Sequence, residues 1–444
     1  MNVALPDEVF GTIDTGNTAW MLISASLVLL MTPALAFFYG GLARAKSVLN
    51  MMMMSFGALG AVTVVYVLWG FSMSFGNSLT GTGDIAGLFS NPLALFGSDQ
   101  LAQTRTVGDT TEFVLWGDTH IPATVFMAFQ LTFAVLTVAL ISGAIAERVR
   151  FATWIVFSVV FSTVVYFPIA HMVWGGGILS GSPDGIAAKM FGTTDGEASV
   201  APIDFAGGTV VHINAGMAGL VLALVVGQRK GFGRKIFRPH NIPFVMLGAA
   251  LLWFGWFGFN AGSELAADAN AGLVWLNTAA GTSAAMVGWL AIEWYRDDRP
   301  TSVGAASGVV AGLVAITPAC GALTPVGSLG LGFIAGALAA AAIGLKYRFG
   351  LDDSLDVVGV HLVAGLWGTV GVGLFAKESG ILYGHDVKQL AVQTVIACVA
   401  LAFTGILTAV IAYLLKPMGW RIDAEVEQSG IDAGEHAESA YELA

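Results

Sequence analysis

The feature that most constrains this chain is the recurrence of long stretches without a single charge. Ile121–Ala146 and Ile242–Gly262, for example, contain no Asp, Glu, Lys or Arg. A helix needs about 20 mainly apolar residues to cross a hydrocarbon core of about 30 Å. One such stretch would fit the buried helix of a large soluble protein, but its repetition along the whole chain would not. Charged residues make up only 11% of the 444 residues, against 56% hydrophobic, too few to cover a soluble surface of this size. The sequence therefore predicts an all-α polytopic membrane protein.

Eleven spans are expected. They lie at Ala19–Tyr39, Val48–Phe75, Ile121–Ala146, Phe151–Leu179, Asp204–Gly227, Ile242–Gly262, Gly272–Ile292, Val303–Ala319, Val326–Leu345, Ser354–Phe375 and Gln389–Leu415. An odd number puts the termini on opposite sides, and cytoplasmic loops hold the excess of basic residues. One set of loops carries Arg44, Lys46, Arg148, Arg150, Arg229, Lys230, Arg234, Lys235, Arg238, Arg296, Arg299, Lys346, Arg348, Lys416 and Arg421. The other set carries only Arg105, Lys189, Lys377 and Lys388. The expected orientation has the N-terminus outside and the C-terminus in the cytoplasm, in a cell (cytoplasmic) membrane.

The start, Met1–Asn17, has three acidic residues and no Lys or Arg, unlike the basic start of a secretory signal. The first apolar stretch is thus expected to remain in the mature protein. Gly76–His120 and Ser180–Ile203 read as solvated caps on the outer face. Residues 1–415 form the expected transmembrane domain and 416–444 a cytoplasmic C-terminal tail. From Arg421 the tail holds seven Asp or Glu; alone it reads as a disordered end, or else as a docking or regulatory segment. Cys320 and Cys398 are too few for a disulfide framework, and no basic cluster suggests nucleic acid.

Two spans share a pattern. Asp204 is followed eight residues later by His212, then Ala215-Gly216 and Gly219; Asp353 is followed eight residues later by His361, then Ala364-Gly365 and Gly368. Spans five apart run in opposite directions, so the match predicts an inverted repeat of helices 1–5 and 6–10, with helix 11 outside it. Eight helical residues advance about 12 Å, which brings both histidines near the midplane, where an inverted-repeat carrier keeps its site. His171 falls nearer the outer end of its span. Ionisable side chains inside a membrane are costly and usually functional. Two alternatives stand beside a transport role. The histidines could be separate core residues, each bonded to neighbouring backbone. They could also belong to a metal site, but that needs at least one more ligand, and no Cys or carboxylate matches their depth. Glycine and alanine around both suit close helix packing, which a narrow apolar pore also requires.

At these residues the chain resembles the ammonium transporter (Amt/Mep/Rhesus) family. The run from Asp204-Phe205-Ala206-Gly207-Gly208 through His212 to Gly227-Gln228-Arg229 is similar to that family's signature. Ordered blocks elsewhere match too. They are Phe37-Phe38-Tyr39-Gly40-Gly41, Gly143-Ala144-Ile145-Ala146-Glu147-Arg148, Ala170-His171-Met172-Val173-Trp174-Gly175-Gly176-Gly177, Gly255-Trp256-Phe257-Gly258-Phe259-Asn260-Ala261-Gly262-Ser263 and Thr317-Pro318-Ala319-Cys320-Gly321. Departures are Ala34 after Met31-Thr32-Pro33 and Ala437 after His436, where the family pattern has Gly, and outer loops of different length.

The resemblance implies a homotrimer with one pore per subunit and no cofactor. It implies ammonium recruitment at Trp174 and Ser263, with Phe133 as floor and Phe129 close by. It also implies a gate of Phe133 and Phe259, a pore lined by His212 and His361, and Asp204 as buried structural support. A PII-type signal protein at the cytoplasmic face is the implied partner. The chemistry suits these residue types. Aromatic faces attract a cation by about 2 kcal/mol when desolvated, and Ser263 can accept one of four N–H groups. A bare charge at the membrane centre costs from about 3 to above 10 kcal/mol, so ammonium would shed its proton and continue as ammonia past neutral imidazoles. Potassium has no such escape. The expected function is ammonium/ammonia transport rather than an enzymatic one, since no nucleophile or metal site lies at the histidines' depth. An ammonium sensor acting through a cytoplasmic partner is the alternative. A Rhesus-type conduit for neutral gases is disfavoured by Trp174.

Overall fold

The structure, a computed structural model, describes residues 5–234 and 237–441. Lys235 of the basic loop and the chain ends beyond these limits lie outside the described residues. Eleven principal helices follow in order. They are α1 (Thr15–Leu42), α2 (Val48–Thr80), α3 (Ala123–Ile145), α4 (Phe151–Trp174), α5 (Gly208–Val226), α6 (Ile242–Gly262), α7 (Ala269–Asp297), α8 (Ser302–Ile316), α9 (Pro325–Phe349), α10 (Val358–Phe375) and α11 (Lys388–Leu414). Among the described residues nine are long and apolar enough to cross a membrane. The exceptions are α8, which is short, and α7. The latter is long but places Asn277, Thr278 and Thr282 on its buried face and ends in Glu293, Arg296 and Asp297.

Helix starts follow local chemistry. The Asp14, Asn241, Asp268, Thr301 and Thr324 side chains accept from backbone N–H groups three residues on, opening α1, α6, α7, α8 and α9. These are preferred cap residues because their oxygens satisfy donors left free in a first turn. The fifth and tenth spans start four residues later than expected. Their helices start at Gly208 and Val358, four or five residues after the aspartates, and both open with π-helical turns, Gly208–Ile213 and Val358–Val363.

Helix α1 packs most extensively on α6, and α7 on α9. Backbones approach closely at glycines. A Cβ on Gly248 would strike the Phe38 backbone, and one on Gly336 the Ala285 carbonyl. With little net hydrophobic drive between helices in lipid, such contact supplies the cohesion.

One end of the bundle carries the long loops. There Phe10–Gly11, Thr110–Val114 and Thr104–Val107 form an antiparallel sheet in that order, with Phe10 opposite Val114. His171, fully buried, approaches both the Ser74 carbonyl (3.2 Å) and Asp84 Oδ1 (2.7 Å) at this end.

The opposite end carries the basic loops, and its charges are not all solvated. Arg148 is fully buried and Arg229 nearly so. Arg229 Nη2 donates to Asp352 Oδ1 at 2.8 Å and its Nη1 to Glu147 Oε2 at 3.1 Å, while Arg44 Nε reaches the same Glu147 oxygen at 2.8 Å. Burial raises the Asp352 carboxyl, but the Arg229 hydrogen bonds and the Arg148 and Arg229 charges prevail and hold it below its ordinary range. The tail packs against this end, as in the docked one of the two readings its composition left open. Asp432 accepts from the N–H groups of Leu49 and Asn50 at the start of α2, and Glu435 from that of Phe151 at the start of α4. Glu427 accepts from Arg421 Nη2 at 2.6 Å and from the backbone N–H of Lys230. Two of the tail's acids, Asp432 and Glu435, thus act as helix caps, and the Arg229 guanidinium faces Asp352 and Glu147 instead of the tail.

Candidate functional site

A column of rings runs from the loop-rich end into the bundle. Helix α3 presents Phe126, Phe129, Gln130 and Phe133 at helical spacing on one face. Phe129, Gln130, Trp174 and Ser263 line a cavity of about 180 Å³ that opens at that end. Phe133 lies edge-on to Trp174, with ring centroids 6.0 Å apart, and edge-on to Phe129 at 4.8 Å. Below the cavity Phe133 stacks on Phe259 at 4.1 Å. Phe259 lies 6.1 Å from His212, and His212 5.5 Å from His361.

Trp174, Ser263 and Asp204 are each held by hydrogen bonds. Trp174 Nε1–H donates to the Asp204 carbonyl at 2.9 Å, which uses its only donor and fixes the indole. The Ser263 hydroxyl donates to the Phe259 carbonyl at 2.8 Å, so its lone pairs are left for a donor in the cavity. The Asp204 carboxylate accepts from the N–H groups of Gly207, Thr209 and Val210 at 3.0, 2.9 and 3.1 Å. Gly207 has φ +115°, a left-handed conformation that glycine adopts without strain.

The two histidines meet. Their Nδ1 atoms are 3.4 Å apart, and the side chains are fully buried and 2% exposed for His212 and His361 respectively. A hydrogen bond between two Nδ1 atoms needs a proton on one and a bare lone pair on the other. The pair then presents one N–H and one acceptor at its Nε2 positions, and His212 Nε2 has no partner among the described residues. Close crossing of α5 and α10 makes the meeting possible. A Cβ on Gly216 would lie 2.5 Å from the Leu362 backbone nitrogen, and one on Gly365 would lie 3.1 Å from the His212 Cβ. Asn214 supports the π turn by donating to the Val210 carbonyl at 3.1 Å and accepting from Thr404. Among the described residues no three His, Cys, Asp or Glu side chains are grouped to hold a metal.

The structure thus gathers Trp174, Ser263, Phe129, Phe133, Phe259, His212, His361 and Asp204 into one column. Sequence reasoning missed Trp256, whose indole stacks on His212 at 5.4 Å and donates to Thr317 Oγ1 at 2.9 Å. It lay within a quoted block, three residues before Phe259, where helical spacing already puts both on one face. Gln130 was also missed, and its place between Phe129 and Phe133 on the same stripe was the signal available. The Trp116–Phe126 stack at the cavity wall, with centroids 3.7 Å apart, had no comparable signal because it joins a loop to a helix.

Known proteins share this architecture. An ammonium transporter of Mycobacterium bovis is 51% identical over 456 residues, covering 98% of this chain and 92% of the relative. Among solved structures, a sensor Amt protein superposes with a TM-score of 0.81 at 29% identity, covering 95% of this chain and 98% of that one. Saccharomyces cerevisiae Mep2 superposes with a TM-score of 0.78 at 28% identity, covering 93% and 89%. The model of the Ammonium Transporter Family matches residues 19–441. That span holds nearly all of α1, every later helix, the ring column and the docked tail, and the chain belongs to the Ammonium Transporter Family.

Proposed function

We propose that the ammonium transport assigned by family membership runs along the ring column. Ammonium is taken up in the cavity of Trp174, Phe129, Phe133 and Ser263. It sheds its proton at the Phe133–Phe259 stack and continues as ammonia past His212 and His361. The observation that carries this reading is the pair of buried imidazoles, Nδ1 to Nδ1 at 3.4 Å, directly beneath stacked phenyl rings. Aromatic faces favour a cation only where they replace water. Further in, the column offers rings and neutral imidazoles, a poor solvent for any ion but an adequate one for a neutral amine. The imidazole pair can donate to or accept from ammonia as it passes.

This reading includes eleven spans, with α1–α5 and α6–α10 as inverted repeats and α11 outside them. It places the N-terminus and the loop-rich end outside, and the basic end and tail of 416–444 in the cytoplasm of a cell with this protein in its cytoplasmic membrane. The distribution of Lys and Arg supports the orientation. The family resemblance supports a homotrimer and a PII-type partner at the basic end. A sensor role is the second reading. It is favoured by the likeness to a solved structure named a sensor Amt protein, and by a tail docked through Asp432 and Glu435 on the ends of α2 and α4.

The test is solute flux into liposomes holding the purified protein. The reading expects uptake under an ammonium gradient and none under an equal potassium gradient. Equal passage of both ions would reject the deprotonation step. Absence of ammonium uptake, together with binding of ammonium, would favour the sensor.

A further inference from the structure

Gln130 has no place in the route just described, yet it lines the same cavity as Trp174, Ser263 and Phe129. The residue is only 9% exposed. Among the described residues its carboxamide makes no hydrogen bond. The amide opens on the cavity, so its hydrogen bonds are left to whatever occupies that space, water or a ligand. Neighbouring polar groups in the cavity are committed elsewhere as donors: the Trp174 N–H to Asp204 and the Ser263 hydroxyl to Phe259. The carboxamide of Gln130 is the cavity group that keeps both a free acceptor and free donors. It stands on α3 between Phe129 and Phe133, whose rings meet at 4.8 Å.

We propose that Gln130 is a direct ligand of ammonium in this cavity and favours ammonium over methylated amines. The proposal rests on the cavity being the ammonium site. Ammonium has four N–H donors and no lone pair. Ser263 Oγ accepts one and the aromatic faces take others through the ring quadrupole. Gln130 Oε1 accepts a further one, which the rings can do only weakly. When the proton leaves, the carboxamide NH₂ can donate to the new lone pair of ammonia, so a single side chain serves both forms. An amine carrying methyl groups has fewer N–H donors, and a methyl turned to Gln130 leaves its carbonyl unpaired, the condition that sets strong discrimination.

The test is concentration-dependent uptake of ammonium and of methylammonium into liposomes holding wild type, Gln130→Met or Gln130→Glu. Methionine keeps the length without the amide. Glutamate keeps the acceptor and adds charge. Gln130→Met should raise KM for ammonium by about tenfold, the loss of one hydrogen bond to a charged group. Its maximal rate should stay near wild type and its preference for ammonium over methylammonium should shrink. Gln130→Glu should keep KM at or below the wild-type value. Unchanged KM and preference in Gln130→Met would overturn the proposal, as would an equal rise in both variants. Ser263→Ala, measured in parallel, separates the two readings. A raised KM there with none in Gln130→Met rejects the Gln130 ligand and keeps the site, whereas no change in either rejects the site.

Discussion

The turn from Asp204 to His212 and the turn from Asp353 to His361 are built alike and end differently. In each, an aspartate carboxylate accepts backbone N–H bonds from the start of a π-wound helix: Gly207, Thr209 and Val210 for Asp204, and Val357 and Val358 for Asp353. In each, the residue three positions on is left-handed, Gly207 at φ +115° and Asp356 at φ +63°. In each, the aspartate's own carbonyl accepts a side-chain donor. For Asp204 the donor is the neutral indole of Trp174 at 2.9 Å, and for Asp353 the ammonium of Lys346 at 3.2 Å. Lys346 is also paired with Asp356 at 2.6 Å.

The same backbone device therefore has two electrostatic settings. Near Trp174 it leaves a carboxylate that has no cationic partner among the described residues, beside an aromatic cavity, which favours a visiting cation. Near Lys346 a resident cation already occupies the corresponding place. The comparison teaches that two like turns bring the histidines together, while on the proposed route the donor given to each aspartate carbonyl sets which end suits ammonium and which only ammonia.

The largest effect expected from this difference is on the two aspartates. Asp204→Asn keeps the shape but removes the charge and replaces one acceptor oxygen with a donor. Its KM for ammonium uptake should rise about tenfold or more, since hydrogen bonds to charged groups contribute about 1.5–3 kcal/mol. Asp353→Asn should leave KM within about twofold and lower only the maximal rate or the stability, because on the proposed route its charge sits at the end that ammonia leaves. Equal shifts in KM would remove the electrostatic distinction.

A smaller effect is expected at Lys346. Its side chain is 12% exposed and that of Asp356 31%, so solvent screens the pair only partly. Lys346→Met should destabilise the protein by about 1–2 kcal/mol, between surface and buried ion pairs, read as a lower thermal midpoint in detergent. It should also let the basic end bind ammonium measurably. An unaltered midpoint would make the lysine a bystander.

The smallest effect concerns pH. Asp352, next to Asp353, anchors this turn to Arg229 and has its folded value lowered. A lowered carboxyl stabilises fully above its ordinary value of 3.8 and loses that contribution as pH falls through the folded value. The gap in thermal midpoint between wild type and Asp352→Asn should be constant from pH 7 down to about 5 and close below the ordinary carboxylate range. A gap that widens on acidification would contradict the assigned sign.

The histidine pair was legible because membranes restrict what a sequence can mean, whereas Trp174, Ser263, Phe129, Phe133 and Phe259 were expected only from the family resemblance. Uncharged stretches gave the helices, and equal spacing from Asp204 to His212 and from Asp353 to His361 picked out the pair. The depth estimate was less sound. It treated eight residues as regular helix, whereas the chain is irregular up to Gly208 and Val358 and then π-wound. The histidines meet through backbone geometry that periodicity does not record. Arg148 and Arg229 read as loop charges that set orientation. Their burial with Glu147 and Asp352 joins segments 82 to 204 residues apart, and no local pattern announces such partners. Composition left the tail open between a free end and a docked segment for a related reason. Its acids suggest solvation, but Asp432 and Glu435 are helix caps for distant α2 and α4, a role set by docking and not by composition.

The central claim is that His212 and His361 line the conducting route. It is tested most directly by ammonium and potassium flux in liposomes holding wild type, His212→Leu or His361→Leu, each first checked for an intact oligomer by size-exclusion chromatography. The account predicts that wild type passes ammonium and excludes potassium. It predicts that each leucine variant either loses ammonium flux by at least about tenfold, the scale of one strong interaction, or loses that selectivity. Well-assembled variants with wild-type flux and wild-type exclusion of potassium would contradict it.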